Sequence, residues 1–299
     1  MNTQSMANRL AVLGSPIAHS QSPALHLAAY KALGLDWEYE AVEVKSGELA
    51  AFIASRGPEW RGLSLTMPLK QEVLPLVTDL SRVAQLTDAA NTVVLGEMNG
   101  ERTLSGFNTD VTGIVRALAE IDVSAATHVA ILGAGATAAS ALAAAAEIGA
   151  ESVEVFLRTP SKAAPLVALG RTLGLVVGVS ELAAAASGAR ADGTMSSDVA
   201  PFPDVTPDVV ISTLPGGTDL GDLFSAEVRS RVPLFDVAYS PWPSALAQSW
   251  TAAGGQADSG LGMLLHQALI QVRIFVSGDP FALLPDEEAV LTAMRNALA

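Results

Sequence analysis

Small polar side chains and one lysine recur in the first third of the chain, where short apolar segments end or helical patterns begin. They are Ser20, Ser22, Thr66, Lys70, Asn91 and the Asn-Thr-Asp triplet 108–110. Ligands of open α/β sheets bind at the carboxyl ends of strands, and hydroxyls, an amide, one cation and one anion suit a polyhydroxylated acid. Each residue also has a structural explanation: a helix cap for Ser22 and Asp110, a turn for Asn91, a solvated loop for Lys70. Their combination favours a binding site.

A glutamine near the C-terminus adds to this set. Gln267 lies at helical spacing with Met263, Ile270 and Ile274, which otherwise form an apolar stripe. A buried amide without partners is costly. Gln267 is therefore expected either to pair with the backbone or to face a polar ligand.

The segment Gly133–Ala138, GAGATA, fits the pattern G-x-G-x-x-G/A, follows an apolar strand and opens a helix. In that context Gly133 permits a tight turn, Gly135 lets a pyrophosphate approach the backbone, and Ala138 allows close helix–sheet packing. The helix N-terminus offers free N–H groups to phosphates. A dinucleotide is favoured over a glycine-rich turn without a ligand.

The end of the next strand indicates which dinucleotide binds. An acidic residue there would bind the ribose hydroxyls of NAD, but the strand VEVFL ends in Arg158-Thr159, with Lys162 nearby. Arginine grips a phosphate through two hydrogen bonds, and the lysine adds a second positive charge. The alternative is that Arg158 only caps a solvated loop. The charges favour NADP.

The elements that must position these residues alternate between strands and helices, which indicates an α/β fold with mostly parallel sheets. Residues 92–104 read as a hairpin, and we expect a helix near 161–169, a strand near 174–178 and a helix near 181–186. Domain junctions are expected at the helix opened by Asp110 and at the glycine-rich segment 254–263. One domain then comprises residues 1–109 and 260–299, and the other residues 110–259.

Composition narrows the function further. Half of the 299 residues are hydrophobic, and the net charge of −14 argues against nucleic acid or an anionic membrane as partner. The absence of cysteine excludes thiolate metal sites and a cysteine nucleophile, and the four histidines show no zinc spacing, so no metal is expected. No apolar run approaches the ~20 residues of a membrane helix, and no signal-peptide pattern opens the chain. A cytoplasmic protein is expected, either a monomer or a homodimer.

Several segments together resemble the shikimate dehydrogenase family along nearly the whole chain. GSPIAHSQSPALH is similar to that family's G-x-P-I-x-H-S-x-S-P-x-x-H, SLTMPLK to N-V-T-x-P-x-K, and GFNTDVTG to G-x-N-T-D-x-x-G. AANTVV, GAGATA, LRTPSKA, STLPGG, DVAYSPWPSAL and GLGMLLHQA also resemble family motifs, and all occur in family order. Among these motifs, the early serine motif and the Asn-Thr-Asp motif weigh most.

The resemblance implies NADPH-dependent reduction of 3-dehydroshikimate to shikimate in aromatic amino-acid biosynthesis. It implies a substrate domain and a Rossmann NADP domain separated by a cleft, with the C-terminal helices returning to the first domain. The implied site residues are Lys70 and Asp110 as the catalytic pair; Ser20 and Ser22 for the carboxylate; Ser64, Thr66, Asn91, Tyr239 and Gln267 as further substrate contacts; and Gly133, Ala134, Gly135, Ala136, Thr137, Ala138, Arg158, Thr159, Lys162 and Gly260 for NADP.

Three positions depart from the family pattern. Ser64 replaces the asparagine of N-V-T, which shortens one substrate contact and leaves room for a bridging water. Leu157 replaces the asparagine before Arg158, and Ala136 is the fourth residue of the glycine turn. The first two bear on substrate and cofactor preference.

A role for Lys70 follows from the implied reaction. Hydride delivery to a ketone makes an alkoxide, which needs a proton donor. Lysine's reference pKa of ~10.4 requires an environment that lowers it for transfer near neutrality. Asp110 would orient the ammonium but would also favour its charged form. The hypothesis is that Lys70 is the acid/base and Asp110 its orienting partner.

Two other functions remain open from the sequence. One is a quinate/shikimate dehydrogenase of the same family that uses NAD, against which Arg158 and Lys162 argue. The other is a non-catalytic NADP-binding sensor, against which the set Lys70, Asp110 and Gln267 argues.

Overall fold

Strands and helices alternate along the chain, as the apolar pattern predicts. The structure is a computed structural model that describes residues 8–182, 206–218 and 224–298. The chain forms two compact units: unit 1 comprises Met1–Thr109 and Leu264–Ala299, and unit 2 comprises Asp110–Met263. The second boundary falls inside a helix, Leu261–Ser277, a few residues after the position expected from the sequence.

Unit 1 contains one six-stranded sheet and the helices that cover it. Its strands are β1 Arg9–Gly14, β2 Glu38–Glu43, β3 Trp60–Leu65, β4 Asp79–Leu80, β5 Thr92–Met98 and β6 Glu101–Phe107. Its first four helices are α1 Ser22–Ala32, α2 Leu49–Ala54, α3 Leu69–Glu72 and α4 Arg82–Thr87. The strand order is β2-β1-β3-β5-β6-β4.

The sheet of unit 1 is buried on both faces, and β1 shows why. Leu10 and Val12 pack with α1 and the C-terminal helices, whereas Ala11 and Leu13 pack with the other apolar cluster, around α2 and β3. Successive side chains of a strand point to opposite faces. A strand buried on both sides therefore reads as the unbroken apolar run seen here.

The predicted hairpin is confirmed. β5 and β6 pair antiparallel from Thr92↔Phe107 to Met98↔Glu101. The two-residue turn consists of Asn99 and Gly100, both with positive φ. An Asn-Gly turn of this kind matches the twist of the flanking strands.

The described residues of unit 2 form a sheet of six parallel strands. They are β7 His128–Leu132, β8 Ser152–Leu157, β9 Val176–Glu181, β10 Val209–Ser212, β11 Leu234–Asp236 and β12 Ala257–Ser259. The helices among these described residues are α5 Asp110–Glu120, α6 Ala136–Glu147, α7 Ala164–Leu173, α8 Ala226–Arg231 and α9 Ala245–Ala252. Two more helices follow in the described residues: α10 Leu261–Ser277, which continues into unit 1, and α11 Glu287–Asn296.

The strand order of unit 2 is β12-β11-β10-β7-β8-β9. The chain therefore winds outward from β7 in one direction and from β10 in the other, which is the doubly wound order of dinucleotide-binding sheets. Ligands of such sheets bind at the switch point beyond the carboxyl ends of the central strands. The expected α/β class with parallel-rich sheets is confirmed.

The element boundaries in unit 2 correct two expectations and bear on a third. The helix expected at 161–169 is a 3-10 turn, Pro160–Ala163, followed by α7, which ends at Gly174 with a positive φ. The strand expected at 174–178 is β9, shifted toward the C-terminus. Of the helix expected near 181–186, Glu181 ends β9, Leu182 is helical as expected, and residues 183–186 lie outside the described residues.

Candidate active site

Four polar segments of unit 1 meet at one edge of its sheet. β1 and β3 are parallel, so their carboxyl ends lie together. β5 runs antiparallel to β3, which places its preceding residue, Asn91, at this edge. β6 runs antiparallel to β5, so Asn108 and Thr109 follow at the same edge. The topology thus brings together the loops after β1, β3 and β6 and the entry to β5.

Backbone hydrogen bonds fix these loops to one another. The Ser15 N–H donates to Met67 O at 3.0 Å, and the Ala90 N–H donates to Lys70 O at 2.8 Å. Lys70 lies on α3 and is half-buried. Its backbone is therefore held beside the segment that carries Asn91.

Asn91, Thr109 and Gln267 form a buried amide–hydroxyl cluster. Asn91 Nδ2 donates to Thr109 Oγ1 at 2.9 Å and to Gln267 Oε1 at 3.2 Å. Asn91 Oδ1 accepts the Thr109 N–H at 2.9 Å. Gln267 Nε2 donates to Leu264 O at 3.0 Å. The amide of Gln267 thus pairs with both backbone and side chains, and the cluster holds all three groups in fixed orientations.

The two serines of the first loop lie at the start of α1. The sequence predicted Ser22 as the N-cap, but Gln21 holds that position and Ser22 is the first helical residue. The hydroxyl of Ser20 accepts the Ser22 N–H at 3.3 Å, so Ser20 satisfies one N–H at the start of α1. Ser22 is buried and Ser20 is half-buried.

Ser64 lies inside unit 1 and is 3% exposed. Its hydroxyl accepts from Tyr39 Oη at 2.7 Å and donates to Gln271 Oε1 at 3.0 Å. Thr66, two residues later, lies beyond the end of β3 and is half-buried.

Asp110 is the first residue of unit 2 and of α5, and it is 3% exposed. It directly follows Thr109 of the amide–hydroxyl cluster. An acidic side chain in the first turn of a helix is stabilised by the helix dipole.

The glycine turn of unit 2 follows β7, at the switch point of the sheet. Gly133 has φ 111°, and a Cβ there would lie 2.5 Å from Thr213 Oγ1, so only glycine fits. A Cβ on Gly135, the N-cap of α6, would meet no atom within 4 Å. Ala134 and Gly135 are exposed, whereas Ala138 is fully buried. The turn therefore presents open backbone at the N-terminus of a twelve-residue helix, as a phosphate site requires.

Two cations lie at the end of the neighbouring strand. Arg158 and Thr159 follow β8, Lys162 belongs to the next 3-10 turn, and all three are exposed. The Gly133 N–H donates to Phe156 O at 2.8 Å. The glycine turn and the cations thus follow adjacent strands, which fits a nucleotide with an added phosphate.

Tyr239 and Gly260 lie elsewhere in unit 2. Tyr239 is half-buried and comes three residues after β11. Gly260 is buried and follows β12, and its N–H donates to Ala238 O at 3.3 Å. Asp236, at the end of β11, is 3% exposed, and its burial raises the pKa of the carboxyl group above the ordinary value.

Comparisons with known proteins give the family. A family model described as the shikimate dehydrogenase substrate binding domain matches residues 12–93. The shikimate dehydrogenase (NADP(+)) of Sphingopyxis alaskensis is 35% identical over 279 residues, which are 90% of this chain and 91% of that protein. This chain belongs to the shikimate dehydrogenase family.

Solved shikimate dehydrogenases have the same fold. The Mycobacterium tuberculosis enzyme is 36% identical with a TM-score of 0.75, covering 97% of this chain and 99% of that one. The Thermus thermophilus enzyme, in complex with NADP(H) and shikimate, is 30% identical with a TM-score of 0.74 and the same coverages. The resemblance recognised in the motifs is confirmed.

Within this family member, the structure brings together Asn91, Thr109 and Gln267 and places Ser64 in a separate hydrogen-bond network. No role was predicted for Tyr39, Thr92 or Gln271, which surround these groups. Gln271 alone carried a detectable signal, because it is a second glutamine four residues after Gln267 on an apolar helix. Among the described residues, no group of three or more histidine, aspartate and glutamate side chains is arranged to hold a metal.

The described helices also bear on membrane association. None of them has the length and apolarity needed to cross a bilayer.

Proposed function

We propose that this protein catalyses the reversible NADPH-dependent reduction of 3-dehydroshikimate to shikimate, a step of the shikimate pathway of aromatic amino-acid biosynthesis. The observation that carries the proposal is the preassembled cluster of Asn91, Thr109 and Gln267 in a member of this family. The cluster fixes the orientation of the Asn91 and Gln267 amides, and an oriented amide can recognise a hydroxyl of a small acid because it hydrogen-bonds that hydroxyl only in the matching position.

On the substrate side, Ser20 and Ser22 bind the carboxylate, and Thr66, Asn91 and Gln267 bind the ring hydroxyls. Tyr239 lines the site. The contribution of Ser64 as a direct contact is small, because its hydroxyl hydrogen is already donated to Gln271. These assignments follow the family motifs and agree with the shared edge of the sheet at which most of these residues lie.

On the cofactor side, Gly133–Ala138 form the turn that binds the pyrophosphate of NADP, with backbone N–H groups at the N-terminus of α6 as donors. Arg158, Thr159 and Lys162 bind the 2′-phosphate, and Gly260 shapes the loop after β11. The exposed Ala134 and Gly135 and the two exposed cations fit this group. When bound, the reduced nicotinamide supplies the hydride.

Lys70 donates a proton from Nζ to the oxygen that becomes the new hydroxyl, and it accepts that proton in the reverse direction. The ammonium also stabilises the negative charge that develops on this oxygen. Asp110 orients the ammonium. General acid–base catalysis of this kind contributes about 10²–10⁴-fold to the rate.

One assay tests the proposal. The purified protein is given NADP or NAD with shikimate or quinate, and the absorbance of the reduced nicotinamide is followed. We expect the highest kcat/KM with NADP and shikimate. Preference for quinate and NAD would replace the proposal with a quinate/shikimate dehydrogenase, and no reduction in any combination would favour an NADP-binding sensor.

We further propose a cytoplasmic enzyme that works as a monomer or a homodimer. Light scattering after size-exclusion chromatography distinguishes the two states. Neither outcome alters the proposed reaction.

A further inference from the structure

Gln271 on α10 is 2% exposed, and every hydrogen-bonding position of its amide is used. Its Oε1 contacts Ser64 Oγ at 3.0 Å and His26 Nε2 at 3.1 Å. Its Nε2 donates to Asn91 O at 3.2 Å and to Thr92 Oγ1 at 3.0 Å. A primary amide offers two acceptor and two donor positions, so Gln271 is fully paired.

The carbonyl of Asn91 fixes the orientation of this amide. A backbone carbonyl can only accept, so the nitrogen of Gln271 must face it and the oxygen must face Ser64 and His26. His26 Nε2 therefore carries the proton, and Nδ1 accepts from Tyr30 Oη at 3.1 Å. Burial lowers the pKa of His26 to about 3, in agreement with this neutral tautomer. Tyr39 stacks on the same ring, with centroids 4.0 Å apart.

The network continues from Gln271 to the candidate substrate groups. Thr92 Oγ1, which accepts from Gln271, donates to Asn91 Oδ1 at 2.8 Å. Asn91 then donates to Gln267 Oε1, and Gln267 lies one helical turn before Gln271. Gln271 thus holds the backbone of Asn91 directly and its side chain through Thr92.

We propose that Gln271 is a positioning residue for substrate recognition: with Thr92, it fixes the side-chain orientation of Asn91, and through Asn91 that of Gln267. The predicted effect on the KM for shikimate rests on the proposed function. The predicted effect on the orientation of Asn91 rests on the hydrogen bonds alone. Gln271 does not itself contact the substrate.

The matched pair Thr92→Val and Thr92→Ser tests the link without disturbing the shape of β5. Thr92→Val removes the hydroxyl that joins Gln271 to Asn91, and Thr92→Ser keeps it. We expect Thr92→Val to raise the KM for shikimate about fivefold, the effect of losing one or two buried hydrogen bonds, with the KM for NADP unchanged. Thr92→Ser should stay close to wild type.

Gln271→Met removes all four hydrogen bonds at similar length. We expect it to raise the KM for shikimate more than Thr92→Val does, about tenfold or more. If Gln271→Met does not fold, the Thr92 pair decides. The inference would be overturned if Thr92→Val left the KM for shikimate unchanged, or if Thr92→Ser raised that KM as much as Thr92→Val does. An equal rise in the KM for NADP in Thr92→Val would also overturn it.

A crystal structure of Thr92→Val separates this inference from the proposed function. We expect the Asn91 side chain to leave hydrogen-bond distance of Gln267 Oε1. An Asn91 that keeps its orientation refutes the positioning role, whatever the enzyme reduces. A displaced Asn91 in a protein that does not oxidise shikimate refutes only the proposed function.

Discussion

The two candidate binding regions of this protein are built in opposite ways. In unit 1, Asn91, Thr109 and Gln267 are buried and hydrogen-bonded to one another. In unit 2, the glycine turn offers open backbone, and Arg158 and Lys162 are exposed. A small neutral hydroxyl needs preoriented partners to be recognised, whereas a phosphate can be recognised by exposed charge and free N–H groups.

The largest effect on activity is expected from substitution of Lys70 in unit 1. Lys70→Ala should lower kcat by about 10²–10⁴-fold, because the proton donor is lost, while shikimate still binds in calorimetry. Lys45→Ala, at an exposed lysine of the same unit, should leave kcat unchanged. Turnover within tenfold of wild type would remove Lys70 from the mechanism.

The next largest effect is expected at the buried cluster. Gln267→Leu leaves Asn91 Nδ2 without one acceptor, so kcat/KM for shikimate should fall about 10²-fold, with the KM for NADP unchanged. Gln85→Leu, at an exposed helical glutamine of unit 1, is the control. Initial rates with each ligand varied in turn give both constants. A Gln267→Leu variant with wild-type kcat/KM would show that the cluster is only structural.

A smaller effect is expected in unit 2. Arg158→Ala should raise the KM for NADP about tenfold by removing a charge-assisted contact to the phosphate, and should leave the KM for shikimate and for NAD unchanged. Arg171→Ala, at an exposed arginine of α7, serves as the control. An equal rise for NAD and NADP would mean that Arg158 does not read the extra phosphate.

The smallest effect concerns acid stability of the unit 1 network. Because burial lowers the pKa of His26 from its ordinary value of 6.5 to about 3, the unfolded chain takes up this proton first as the pH falls. Stability from this group is present above pH 6.5 and decreases toward pH 3, by at most about 1.4 kcal/mol per pH unit. The free energy of unfolding, measured by denaturant titration at several pH values, should decrease less steeply with falling pH in His26→Gln than in the wild type. Equal slopes in the two proteins would contradict this prediction.

The same comparison explains what the sequence could reveal. The site of unit 2 is encoded locally: Gly133, Gly135 and Arg158 follow two consecutive strands, and each strand has a clear apolar pattern. The α/β class and the hairpin were predictable for the same reason. Apolar residues that recur every two residues in a strand, or every 3.6 in a helix, can be recognised within a short stretch of sequence.

The network of unit 1 could not be predicted in this way. His26, Tyr39, Ser64 and Gln271 come from four distant segments, and only the folded sheet and α10 bring them together. Ser64 was expected from a motif to contact the substrate, but no motif could indicate that Tyr39 and Gln271 occupy its hydroxyl. Burial of polar groups depends on tertiary partners that a sequence does not display.

Chemical rescue tests the central claim, that the amine of Lys70 transfers a proton to and from shikimate, most directly. Lys70→Ala is assayed with NADP and shikimate in the presence of increasing concentrations of a small primary amine. We predict that the rate of NADP reduction recovers in proportion to the concentration of unprotonated amine, which accepts the proton in this direction. Gln267→Leu should show no such recovery. No recovery in a Lys70→Ala protein that still binds shikimate, or equal recovery in both variants, would contradict it.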